Sequence, residues 1–150
     1  MGVNMCPGIR GMLITMGSSG RMKNIVECVR GLAKIYNAGI SAIYVVSPSG
    51  IALAMHGEMW SKVLDSHLRD EGRKAIEYVV AAGEKEGVEV EPLIVEDKNP
   101  IDGIVDFAKQ NDVDLIVMGT LGRTGLSHLL LGSVAEDIVM YSKRQVLNIP

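Results

Sequence analysis

Val113-Asp114-Leu115-Ile116-Val117-Met118-Gly119-Thr120-Leu121-Gly122-Arg123-Thr124-Gly125 is an apolar run that stops in glycines, and Leu130-Leu131-Gly132-Ser133-Val134-Ala135 follows shortly after. Val113 to Met118, broken only by Asp114, has the length and composition of a buried strand. Glycines then let the backbone turn tightly. Gly132-Ser133 opens a helix whose Val134, Ile138 and Tyr141 are predicted to face inward. Strand, turn and helix in this order form half of a parallel α/β unit, and the rest of the chain repeats the pattern.

Upstream, Met12 to Met16 is a short apolar run ended by Gly17-Ser18-Ser19-Gly20, a strand and a turn. Met22, Ile25, Val26, Val29, Leu32, Ala33 and Tyr36 recur at three- and four-residue steps and mark one helix face, with Gly39 as its terminator. Ile40 to Val46 reads as a second buried strand and residues 47–57 as a variable connection. Trp60, Val63, Leu64, His67, Leu68, Ala75, Ile76 and Val79 trace a long helix ending near Gly87. Val88 to Val95 alternates and carries Pro92, the pattern of a half-exposed edge strand. Asn99-Pro100 starts a helix with Ile101, Ile104, Val105 and Ala108 inward. Val146 to Ile149 is a last strand. The order β-α-β-α-β-α-β-α-β predicts a parallel sheet with helices on both faces and right-handed crossovers. With no internal repeat or linker, residues 1–150 read as one α/β domain.

Composition excludes several classes. A 16.2 kDa chain with 47% apolar and 22% charged residues buries a core without a metal or disulfide staple. Net charge is −3, with the first 75 residues at +4 and the rest at −7, and the positive half has no run of bases longer than two, so no nucleic-acid partner is expected. Cys6 and Cys28 stand 22 residues apart without a Cys/His cluster, which fits a reducing, cytoplasmic setting. The uncharged stretch from Ile35 to Met55 is cut by Ser47-Pro48-Ser49-Gly50, so no membrane association is expected.

The residues around Gly119 carry the chemistry. Ligands of open α/β sheets bind at the carboxyl ends of the strands, where strand order reverses. Gly119, Gly122, Gly125, Gly132 and Ser133 offer main-chain N–H groups to a phosphate chain. The same residues also suit a plain turn, with Ser133 and Glu136 as a capping box. A P-loop lysine and the Rossmann G-x-G-x-x-G are both missing, as is a G-x-S-x-G elbow. No catalytic residue is therefore assigned, and only slow ATP hydrolysis is left open. His67 reads as a partly buried core histidine, and Met12, Met16, Met118 and Met140 as packing groups.

Gly119, two residues, Gly122, nine residues, then Gly132-Ser133 matches G-x2-G-x9-G-[S/T]. This spacing, with the strand before it and the helix after it, resembles the ATP-binding signature of the universal stress protein family. The resemblance runs from about Met12 to Ile149. It implies a five-stranded doubly wound sheet of order 3-2-1-4-5 and a regulatory ATP-binding protein, with Mg2+ as a companion of the nucleotide. Adenine would lie near Thr15, Met16, Val45 and Met118. Ribose and phosphates would follow Gly119, Gly122, Arg123 and Gly125 to Ser133, Val134 and Ala135. The family usually has an acidic residue where Gly17 stands, so weaker binding is expected, because a hydrogen bond to a charged group contributes roughly 1.5–3 kcal/mol. A second departure is Gln145, where the family commonly has proline. The resemblance and the last strand's open edge together imply a homodimer through that strand. The alternative is a dimeric structural or interaction protein of the same fold that needs no nucleotide.

Overall fold

The computed structural model describes residues 8–15, 22–46, 58–97, 99–119 and 133–149. Among them run β1 (Gly11–Thr15), α1 (Met22–Tyr36), β2 (Gly39–Val46), α2 (Glu58–Lys85), β3 (Val90–Glu96), α3 (Pro100–Gln110), β4 (Leu115–Gly119), α4 (Ser133–Ser142) and β5 (Gln145–Ile149). The strands form one sheet in the order β3-β2-β1-β4-β5, every pair parallel. This is the expected doubly wound architecture. The chain moves outward from β1 to β3, then crosses back to β4, so the reversal falls between β1 and β4.

Side-chain alternation along each strand builds a core on each face. Met12, Ile14, Ile40, Ala42, Leu115 and Val117 pack with Ile25, Val29 and Val79 of α1 and α2. Leu13, Ile43, Ile116 and Met118 pack with Ile104, Ala108, Ala135 and Ile138 of α3 and α4. A satellite of Tyr44, Val46 and Ile76 extends the first face toward the β3 edge. Pro92 sits in β3, the edge strand, which is where a sheet tolerates proline.

Boundaries and faces depart from expectation at several points. Gly39 does not end α1; it opens β2, and Asn37 turns the chain at φ 52°. β3 begins at Val90 rather than Val88, and β4 at Leu115 rather than Val113. Val88 and Val113 instead donate back to Gly83 O and Ala108 O, closing the ends of α2 and α3. Tyr141 is 58% exposed, and Ser142 takes the buried place. At roughly 100° per residue, Ala135 and Ser142 lie on one side of Ile138 and Tyr141 on the other. Met140 is exposed rather than packed, as is Val63, and Tyr36 is also exposed. His67 is no core residue: its ring is 66% exposed and faces Glu71 one turn on, 3.3 Å away. No helix of the described residues is long and apolar enough to cross a membrane.

Candidate functional site

Three of the candidate side chains share one face and one end of the sheet. Thr15 is the last residue of β1 and pairs with Ile43. Ile14 pairs with Val117, so the next step of that register sets Thr15 level with Met118. Val45 lies two residues past Ile43 on β2. Alternation points Thr15, Val45 and Met118 toward the α3 and α4 side, the side of Leu13, Ile43 and Ile116. Thr15 is 7% exposed and Met118 5%, so both form a floor, while Val45 and Gly119 are half-buried. A ligand here would meet this floor, the strand ends and the main chain at Gly119.

The local sequence fixes this floor. Gly103, inside α3, lets that helix approach β2 closely: a Cβ there would stand 3.0 Å from a Val45 methyl and 3.3 Å from Asp97 Cβ. Asn99 Oδ1 accepts a hydrogen bond from Ile101 N at 2.9 Å, and Pro100 occupies the first turn, which confirms the expected helix start. Asp97 Oδ1 accepts from Asn99 N at 3.2 Å and orders the turn from β3 into α3. Sequence reasoning overlooked Gly103; an isolated glycine within a helical pattern was its signal.

α4 begins at Ser133, with Val134 second and Glu136 in its first turn. It returns the chain from the end of β4 to the start of β5, so its N-terminus lies at the carboxyl end of the sheet. That end of a helix carries unpaired N–H groups and partial positive charge, which suits an anion. The structure therefore brings together Thr15, Val45, Met118, Gly119 and the start of α4. Met16, Gly17, Gly122, Arg123, Gly125 and Gly132 lie outside the described residues. Among the described residues no group of His, Cys, Asp and Glu side chains is arranged to hold a metal ion.

A second opening lies at the other end of the sheet. A cleft of about 960 Å³ runs between Arg10, Lys34, Asn37, Glu91 and Asn111, at the amino ends of the strands. It is bounded by the turns that end α1, α2 and α3. The carboxyl ends of the strands and the N-terminus of α4 belong to the opposite end, where α/β sheets take their ligands.

Residues 10–150 match the family model described as the universal stress protein family. Universal stress protein MJ0531 of Methanocaldococcus jannaschii is 39% identical over 117 residues, which is 77% of this chain and 67% of that protein. Universal stress protein MJ0577 of the same organism is 34% identical over 90 residues, 60% of this chain and 55% of the relative. The chain thus spans about two thirds and about half the length of these two relatives. A Burkholderia pseudomallei structure from the family superposes with a TM-score of 0.74 at 25% identity, covering 96% of this chain and 98% of its own. A universal stress protein from Archaeoglobus fulgidus, solved in complex with dAMP, shares the fold with a TM-score of 0.65 at 21% identity, covering 95% and 98%.

Proposed function

The chain belongs to the universal stress protein family, and on that premise we propose that it is an adenine-nucleotide-binding regulatory protein, with ATP as ligand and no catalytic cycle of its own. The observation that carries this reading is the crossover between β1 and β4, which sets Thr15 level with Met118 beside the start of α4. In this reading adenine lies over Thr15, Met16, Val45 and Met118. The ribose and phosphates run along Gly119, Gly122, Arg123 and Gly125 to Gly132, Ser133 and Val134, with Mg2+ accompanying the phosphates. Gly17 contributes no carboxylate to the ligand. The dAMP held by the Archaeoglobus fulgidus protein supports a nucleotide site in this fold. The protein works in the cytoplasm as a homodimer joined through β5.

Thermal unfolding tests the reading. A ligand at one hundred times its dissociation constant adds about 2.7 kcal/mol of stability. For a domain of this size each kcal/mol moves the melting point by roughly 2–4 °C. Millimolar ATP with magnesium is expected to raise the melting point by several degrees beyond the effect of matched salt. Gly122→Val and Gly132→Val are expected to abolish that shift while the ligand-free protein stays folded, and Gly17→Asp to enlarge it. A shift no greater than that of salt removes the nucleotide and leaves the interaction protein that works without one.

A further inference from the structure

Asn148 differs from its neighbours on β5. Val146, Leu147 and Ile149 pack against the two cores. Asn148 instead holds its side-chain Oδ1 out of solvent, with no hydrogen-bond partner among the described residues. Buried polar atoms are almost always paired, and one that is not asks for a reason. The register supplies one: Asn148 pairs with Met118, which stands level with Thr15. Leu93, Ile43, Thr15, Met118 and Asn148 thus form one row across the sheet, all on the α3 and α4 side. The row crosses the floor of the candidate site, and Asn148 is its end on β5.

We propose that Asn148 is a ligand-contacting residue, its Oδ1 accepting a hydrogen bond from a ribose hydroxyl of the bound nucleotide. This rests on the nucleotide reading above. The chemistry of the atom selects the group. An amide oxygen only accepts, and so does an ionised phosphate, so the two cannot pair. The donors of an adenine nucleotide are the amino group of the base and the hydroxyls of the sugar. Neighbouring strands lie about 4.8 Å apart, which puts β5 roughly 14 Å from β2, where the base meets Val45. The sugar lies between base and phosphates and falls closer to β5 than the amino group does.

The test compares wild type and Asn148→Val by calorimetric titration with ATP, 2′-deoxy-ATP and 3′-deoxy-ATP, alongside melting of the ligand-free proteins. One neutral hydrogen bond corresponds to roughly a twofold to tenfold change in affinity. Wild type is expected to bind at least one deoxy analogue that much more weakly than ATP. Asn148→Val is expected to lose the same factor for ATP, to stop discriminating between ATP and that analogue, and to melt no lower than wild type. Equal affinity of the two proteins for ATP, or discrimination that survives the valine, overturns the proposal and leaves nucleotide binding in place. Indifference of the wild type to both deoxy analogues overturns it without need of the variant. A wild type that binds no nucleotide overturns this proposal together with the reading it rests on.

Discussion

At Lys143 the backbone enters the left-handed region, with φ 52°, as it does at Asn37, Gly87 and Asp112. All four residues turn the chain from a helix into the next strand. Gly87 meets no steric penalty there, and it donates to Glu84 O while Val88 donates to Gly83 O, a complete left-handed helix cap. Asn and Asp tolerate the same conformation because their short polar side chains bond locally. The glycine cap was therefore legible in the sequence. The asparagine cap was hidden by Gly39, a stronger breaker two residues further on. Lys143 gives no sequence signal, and its long side chain gains nothing from the left-handed turn, which costs roughly 1–2 kcal/mol outside glycine. Lys143→Gly is accordingly expected to stabilise the protein by about 1 kcal/mol, because glycine's greater freedom in the unfolded chain offsets part of the relief. Melting measurements on Lys143→Gly and Lys143→Ala check this. The glycine variant should melt higher than wild type and the alanine variant should not, since only the former relieves φ.

Single elements show where periodicity informs and where it fails. α2 has 28 residues and is about 42 Å long, whereas the eight residues of β2 extend about 26 Å. The helix outruns the sheet. Ile76 and Val79 near its C-terminal end are buried as the spacing predicts, while Val63 and His67 in its first half face water. No apolar count within the helix reveals where the sheet beneath it stops. The close approach of α2 to β2 was equally silent. A Cβ at Gly72 would lie 2.4 Å from the Tyr44 ring, close to the ring's attachment, where it has little room to swing away. Gly72→Ala is thus expected to lower stability by about 1–3 kcal/mol, although alanine is the better helix former, and urea titration reads the sign directly. Asp114, the charge just before β4, acts between elements. Its Oδ2 accepts from Arg10 N at 2.8 Å and Gly11 N at 3.1 Å, and its own N–H donates to Gly11 O. It ties the start of β1 to its neighbour. Asp114→Ala is expected to cost about 2 kcal/mol and Asp114→Asn less, because the amide keeps an acceptor and loses the charge.

For the whole molecule, alternation of strands and helices sufficed for a parallel sheet with a core on each face, because each strand writes both faces into its odd and even residues. Composition and periodicity are blind to strand order; that expectation came only from the resemblance to the universal stress protein family, which the spacing of Gly119, Gly122, Gly132 and Ser133 carries. The site was legible to the same extent: glycine spacing named the loop, whereas the floor made by Thr15, Met118 and Asn148 emerges only when three strands separated in sequence are laid side by side. Strand order also leaves β3 and β5 as the two edges, and they are not alike. β3 carries Pro92 and the charges of Glu91 and Glu96, with Arg69 of α2 ion-paired to Glu96, features that discourage further pairing. β5 has no charged residue, and the helix above it leaves Val139, Met140 and Tyr141 exposed. An uncharged edge beside exposed apolar groups suits a second copy of the chain, and a two-fold axis would let the same strand serve both subunits. Sedimentation equilibrium across a concentration series is expected to give a species of twice the 16.2 kDa chain mass at micromolar protein, dissociating on dilution. A mass of one chain at every concentration would show that β5 ends the sheet as an open edge.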